Sequence, residues 1–304
     1  MSAYKAPVEK LPLAVRKDVR DEWDNKKADL EKQVSELLGA EWKFEVNPLA
    51  IYPYAEPDSY GSNSLGSCIF AYFDGLIWHL KSFLSTHTLA ASELNSVAST
   101  HIVTLIASNK FTYCGTDIVD GKLNLVFHPE KLGTNISHVA QELAATLSSA
   151  PQPEGAPSLS YAARHSIKTD YDPKVGAMLE KARTLLKNPK FEFEPGFEAI
   201  GAVLKGNKEV RDDWETNLGD FVLKYLESFV DALDREKFGD DDLLREGLEE
   251  ACEKGAVRVR VVEKLKDGGY NEILSDGGEL VIQTTPEKWG TNIHHAAEKL
   301  VNIL

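Results

Sequence analysis

Three cysteines and two methionines in 304 residues leave this chain poor in sulfur. Cys68, Cys114 and Cys252 lie far apart and form no Cys-x-x-Cys pair. That argues against a disulfide scaffold, and reduced thiols in the cytosol are the expectation. Basic charge is also short, with 34 Lys and Arg against 48 Asp and Glu and a formal net charge of -14. Residues 1–150 carry 13 basic and 18 acidic side chains, and residues 151–304 carry 21 and 30. Neither half is a basic module, so a nucleic-acid partner is not expected, because neutralising phosphates takes clustered Lys and Arg.

Long apolar runs are missing too. The richest, Cys68 to Leu84, is interrupted by Asp74, His79 and Lys81, and a membrane span needs ~20 apolar residues. The opening Met1-Ser-Ala-Tyr-Lys-Ala-Pro has no apolar core of the secretory kind, which makes a cytoplasmic location the expectation. Asn135-Ile136-Ser137 fits the glycosylation pattern but is set aside for the same reason. There is no G-x-G-x-x-G, P-loop, HExxH, EF-hand or G-x-S-x-G pattern, so neither cofactor nor metal is expected.

What is present is an ordinary globular composition, 42% hydrophobic and 27% charged, at a length suited to roughly two domains of ~150 residues. The chain also repeats itself. Residues 129–147, PEKLGTNISHVAQELAATL, match residues 286–304, PEKWGTNIHHAAEKLVNIL, at 11 of 19 positions. Upstream, LEKQVSELL at 30–38 resembles LEKARTLLK at 179–187, and Lys43-Phe44 resembles Lys190-Phe191. Leu65-Gly66 with Tyr72 resembles Leu218-Gly219 with Tyr225. A domain-sized duplicated unit is predicted, since such a period is too long for a solenoid. The copies are placed at 15–147 and 170–304. A Pro/Ser-rich linker at 148–169 joins them.

Within a copy, periodicity predicts helix, strand, two helices, a three-stranded meander and a last helix. Leu218, Phe221, Val222, Tyr225, Phe229, Val230 and Leu233 recur at helical spacing, as an amphipathic helix requires. Asp240-Asp-Asp suits the start of the next helix. Val257-Arg-Val-Arg-Val alternates as a half-buried strand does, and its arginines are expected to pair with nearby glutamates or face water. Asp267-Gly268-Gly269 and Ser275-Asp-Gly-Gly278 read as turns. Thr or Asn of Gly290-Thr291-Asn292 is expected to cap the last helix. The predicted fold is α/β of the α+β kind: two copies, each an antiparallel sheet covered by helices on one face, arranged as a pseudo-dimer.

Three segments are candidate sites. The shared Pro-Glu-Lys-x-Gly-Thr-Asn-Ile-x-His is first a strand-to-helix turn. Read functionally, it is an anion site in which Lys131, Thr134 and Asn135, or Lys288, Thr291 and Asn292, hold a phosphate or carboxylate at a helix start. His138 and His295 correspond across the copies and lie off the buried stripe, His295 about 200° from Ile293, as candidate proton carriers. Tyr52, Tyr54 and Tyr60 sit in the segment where the copies differ most, and are the candidate ligand or partner surface. Cys114, His128 and Asp117 are only raw material for a nucleophile, without a motif to join them. The expectation is a non-enzymatic cytosolic binding or adaptor protein recognising a protein or a small ligand. The alternatives are an enzyme acting on a small anionic metabolite at the cleft between the repeats, and a groove for an apolar ligand between long helix and sheet.

Overall fold

The computed structural model describes residues 4–152, 158–266 and 268–304. The chain divides into two compact units, Met1–Ala156 and Pro157–Leu304. The first opens on a helical segment made of α1 (Leu13–Asp18), a π-helical turn (Val19–Asp24) and α2 (Asn25–Leu38). It ends at Gly39, whose φ of 68° is the left-handed C-cap conformation that glycine adopts without a Cβ penalty. Then follow β1 (Lys43–Glu45), α3 (Pro48–Ile51), a 3-10 turn (Tyr52–Tyr54), α4 (Tyr60–Asn63), α5 (Leu65–Thr86) and α6 (Ala90–Val97). β2 (Ile102–Ala107), β3 (Cys114–Val119) and β4 (Lys122–Phe127) complete the sheet. A 3-10 turn (Ile136–His138) and α7 (Leu143–Ser149) close the unit.

The second unit has the same plan. α8 (Tyr161–Ser166), a π-helical turn (Ile167–Tyr171) and α9 (Asp172–Leu186) lead to β5 (Glu192–Glu194), α10 (Phe197–Leu204), α11 (Leu218–Arg235) and α12 (Asp242–Ala251). β6 (Ala256–Val261), β7 (Asn271–Asp276) and β8 (Glu279–Thr284) follow, then 3-10 turns at Pro286–Lys288, Ile293–His295 and Leu300–Ile303. Asp241 caps α12, its carboxylate accepting from the N–H groups of Leu243 and Leu244 at 2.9 and 3.2 Å. Residues 158–169, assigned to the linker from composition, are structured from the buried Leu159 through α8 into the π turn. Residues 153–157 of that linker, and Asp267 of the turn predicted there, lie outside the described residues.

The sheets correct the predicted antiparallel meander. Strand order is β1-β2-β4-β3 in the first unit and β5-β6-β8-β7 in the second. β1 and β2, and β2 and β4, pair in parallel, and only β3 pairs antiparallel with β4. The same holds for β5 to β8. Each is therefore a mixed four-stranded sheet, with the returning strand of the hairpin inserted at the centre. The physical sign is burial: every residue from Leu123 to Phe127 of β4 is buried, as in a central strand covered on both faces. The hairpins turn on Asp120-Gly121 (φ 51° and 68°) and Gly277-Gly278 (φ 62° and 82°), the double positive φ that a two-residue turn between twisted strands requires.

Matching the two similar units element by element also shifts the sequence register between them. Both first helices end in a left-handed residue, Gly39 and Lys187, and Leu38 corresponds to Leu186. β1 and β5 then align Trp42 with Phe191, both fully buried, instead of Phe44 with Phe191. The intervening turn is one residue longer in the second unit.

The long helices α5 and α11 form the centre of each core. Trp23, Phe44 and Phe73 stack in the first unit at 4.5–6.3 Å between ring centroids. Phe191 lies parallel to Phe229 at 5.7 Å in the second. One device recurs where the π turn meets the long helix. The Asp18 carboxylate accepts from the N–H groups of Gly66 and Ser67 at 2.6 and 3.2 Å and from the Ser67 hydroxyl at 3.1 Å. In the second unit the buried Ser166 hydroxyl accepts from Gly219 N–H at 3.0 Å and donates to Asp170 at 3.1 Å. The first turn of the long helix thus finds acceptors for orphan donors in a neighbouring helix.

On β6, Val257, Val259 and Val261 face the core, as the alternation predicts. Arg258 pairs with Glu194 and Glu279, and Arg260 with Asp276 and Gln283. Those arginines are consumed by their own sheet face. No helix of the described residues is long and apolar enough to cross a membrane.

Candidate functional site

The shared Pro-Glu-Lys-x-Gly-Thr-Asn-Ile-x-His segment is a strap over the long helix. Gly133 and Gly290 have φ of 84° and 80°, and Asn135 and Asn292 have φ of 53° and 51°. Gly133 N–H donates to the Tyr72 hydroxyl at 3.1 Å, and Gly290 N–H to the Tyr225 hydroxyl at 3.3 Å. Tyr225 in turn donates to Asn271 Oδ1 at 3.1 Å, whose Nδ2 donates to the carbonyls of Thr291 and Asn292 at 2.9 and 3.1 Å. Cys114 takes the place of Asn271 in the first unit, its thiol donating to the Asn135 carbonyl at 3.2 Å. Burial pushes the Cys114 thiol up to about 11 and the Tyr225 hydroxyl up to about 12. Both are held as neutral donors. Removing the hydroxyl with Tyr225→Phe leaves the Gly290 N–H and Asn271 short of a partner and is expected to cost about 1–3 kcal/mol. Urea unfolding monitored by circular dichroism checks this; an unchanged midpoint would refute the role.

The segment does not open a helix. Ile136–His138 and Ile293–His295 are three-residue 3-10 turns, and the left-handed Asn135 and Asn292 make no side-chain cap bond. The predicted last helix is thus a run of short turns. Its predicted stripe still faces inward at Ile293, Ala296, Ala297 and Leu300, while Leu304 is exposed. Such short turns lack the summed dipole on which the anion reading relied. Thr134, Asn135, Thr291 and Asn292 are exposed. The Lys131 ammonium lies over the Tyr113 ring at 4.4 Å. Lys288 lies 5.9 Å from the Tyr270 ring and donates to the Gly269 carbonyl at 2.9 Å.

The two histidines are exposed, each in its own unit. His138 Nδ1 donates to Gln141 Oε1 at 2.6 Å, and His295 Nδ1 lies 3.6 Å from Glu298 Oε2. His295 lines a hollow of about 380 Å³ with Tyr270, Asn271 and Asn292. The three tyrosines are not one patch. Tyr54 is a core side chain, 5% exposed, edge-on to Phe127, with its hydroxyl accepting from Lys5 N–H at 3.0 Å. Tyr52 is half-buried and Tyr60 is 45% exposed. Cys114, His128 and Asp117 take separate tasks: Asp117 pairs with Lys110 at 2.7 Å and His128 Nδ1 accepts from Glu130 N–H at 3.3 Å.

A groove in the first unit is the feature that sequence reasoning missed. α5 buries Leu65, Cys68, Ile69, Tyr72, Phe73, Leu76, Ile77 and Leu80. Trp78 is two positions from both Leu76 and Leu80, hence about 200° from each, and is 66% exposed. The turn at 136–138 runs alongside. His79 Nε2–H donates to the Ser137 carbonyl at 2.7 Å and pins the turn to the helix. Between them lies a groove of about 780 Å³, walled by Ala71, Asp74 and Trp78 on the helix and by Ile136, His138 and Gln141 on the turn. Gly75 is its floor: a Cβ there would stand 3.3 Å from Val139 Cγ1 and 3.5 Å from the Ile136 carbonyl. In the second unit the matching positions, counted from Tyr72 and Tyr225, are Ser228, Asp231 and Ala232 for Gly75, Trp78 and His79. The Ser228 hydroxyl accepts from Ala297 N–H at 2.9 Å and fills that floor.

Compared with known protein families, curated proteins and solved structures, the chain matches none.

Proposed function

We propose that the chain is a non-enzymatic binding protein whose recognition surface is the α5 groove of the first unit, and that its two units are diverged copies of which the first is specialised. The observation that carries the reading is Trp78. A large indole left two-thirds in water costs hydrophobic free energy unless a partner covers it, and tryptophan is the side chain most enriched at binding hot spots. The groove volume of about 780 Å³ falls in the range that ligands and peptide anchors occupy. Its wall carries the Asp74 carboxylate beside His138, which would repel an anionic ligand in this groove.

The occupant is a segment of a protein partner. From Ala71 to Ser82 the groove follows eleven helical steps, about 16 Å at 1.5 Å each, enough for roughly five extended residues. An unbiased displayed-peptide library selected on the immobilised full chain tests this. The enriched peptides are expected to lose affinity at least about tenfold on Trp78→Ala, the loss of a hot-spot side chain, while thermal unfolding stays unchanged. Peptides that bind Trp78→Ala as well as the parent would overturn the assignment of the groove.

A further inference from the structure

The polar groups around Trp78 also define what the groove selects. Asp74 and Trp78 are four residues apart on α5, so their side chains are neighbours on one helix face, about 5–6 Å apart at Cβ. Asp74 is exposed and makes no ion pair among the described residues. The neighbouring cations are engaged elsewhere: Lys81 donates to Gln33 at 3.4 Å, Lys26, over the Phe70 ring one turn before Asp74, pairs with Glu22 at 2.6 Å, and Lys131 of the strap sits over Tyr113. Both groove imidazoles give a ring N–H to a neutral oxygen, His79 to the Ser137 carbonyl and His138 to Gln141. At Gly75 the turn comes close to the helix: a Cβ there would stand 3.3 Å from Val139 Cγ1, and the Ile136 carbonyl accepts from Val139 N–H at 3.0 Å. Thus a carboxylate without an ion-pair partner and an exposed indole line one hollow, and both favour a positive charge.

We infer that the groove captures an arginine or lysine side chain from a basic segment of the partner, held between the Asp74 carboxylate and the Trp78 indole. This rests on the groove being a peptide site, as above. A basic segment is complementary to the net charge of -14, which draws such segments toward the whole molecule and repels acidic ones. The second unit lacks the constellation, because Asp231 stands where Trp78 does and the Ser228 hydroxyl occupies the floor.

The test uses the full chain labelled with 15N and four blocked Gly/Ser pentapeptides that differ only at the centre: arginine, citrulline, norleucine or glutamate. The arginine peptide is expected to shift the Trp78 indole N–H and the Gly75 amide. Citrulline keeps the shape and loses the charge, and should bind about five- to tenfold more weakly, the sum of one exposed cation–π contact and one exposed ion pair. Asp74→Asn removes the ion pair alone, so it should weaken the arginine peptide by a smaller factor, up to about fivefold, and leave norleucine unchanged. Equal binding of arginine, citrulline and norleucine at Trp78 would overturn cation capture and leave the groove as a peptide site. Shifts confined to residues outside the groove with every peptide, library-derived ones included, would overturn both.

Discussion

Gly66→Ala is expected to destabilise the first unit strongly, and Gly219→Ala the second. A Cβ at Gly66 would stand 2.3 Å from the Asp18 carbonyl oxygen and 2.6 Å from Val19 Cα. At Gly219 it would stand 2.4 Å from the Ser166 carbonyl and 2.8 Å from Ile167 Cα. These are backbone atoms inside a helix, so no side-chain rotation relieves the clash. Relief requires separating the long helix from the π turn, which breaks the Asp18 or Ser166 hydrogen bonds and opens the core behind them. Overpacking of this kind costs about 3 kcal/mol or more, a large share of the ~5–15 kcal/mol that holds a domain together. Gly176→Ala is the matched control. It lies within α9 with nothing within 4 Å of its Cβ position, and alanine there should stabilise by about 0.5–1 kcal/mol through helix propensity. Denaturant titration of each variant, followed by far-ultraviolet circular dichroism, reads the result. A Gly66→Ala midpoint equal to that of the parent would show that the close approach is not needed.

The two strap glycines should respond unequally to the same change. Gly133 and Gly290 share a φ near 80°, so alanine is strained at both by about 1–2 kcal/mol. Their surroundings differ. A Cβ at Gly133 meets Cys68 Sγ at 3.4 Å and Tyr60 Cδ1 at 3.5 Å, ordinary contact distances. At Gly290 it would lie 2.4 Å from Phe221 Cε2, and that ring is packed beneath Trp289 and the Arg211 guanidinium, at 6.1 and 4.9 Å. Gly290→Ala is therefore expected to cost about 3 kcal/mol or more, and Gly133→Ala only its backbone strain. Adding Phe221→Leu to Gly290→Ala should recover part of the difference, since contacting sites couple. Equal losses at the two glycines in urea unfolding would contradict the role given to Phe221.

Element identity was largely legible in the sequence, because it follows from local pattern. The stripe from Leu218 to Leu233 and the alternation from Val257 to Val261 became α11 and β6. Asp241 capped its helix, and the pairing of Arg258 and Arg260 followed from the acidic surroundings. Strand order was not legible. A hairpin such as β3–β4 is written in its turn, but the parallel pairing of β2 with β4 is not. The one hint was continuous burial-grade sequence at Leu123 to Phe127, which marks a central strand. The site suffered from the same limit. Three tyrosines in a loop look alike in sequence, yet Tyr54 is in the core and Tyr60 is not. Trp78 hid inside an apolar helix, and only its angle from the buried stripe sets it apart. The groove needed a second wall from residues 136–141, a contact that no periodicity reports.

The mixed sheet also dictates an order of assembly. The β3–β4 hairpin closes across two residues. Pairing β2 with β4 brings together Ile102 and Lys122, twenty positions apart, and pairing β1 with β2 brings together Lys43 and Ile102, fifty-nine apart. Loop-closure entropy rises with that span, and late contacts in a chain are those with the greatest separation. β1, only three residues long and at the sheet edge, is therefore the last strand to dock and the first to leave. The helical segment from Leu13 to Leu38 leads into β1 but is seated separately on α5 through Asp18 and Trp23, so the strand can fray while the helix stays in place.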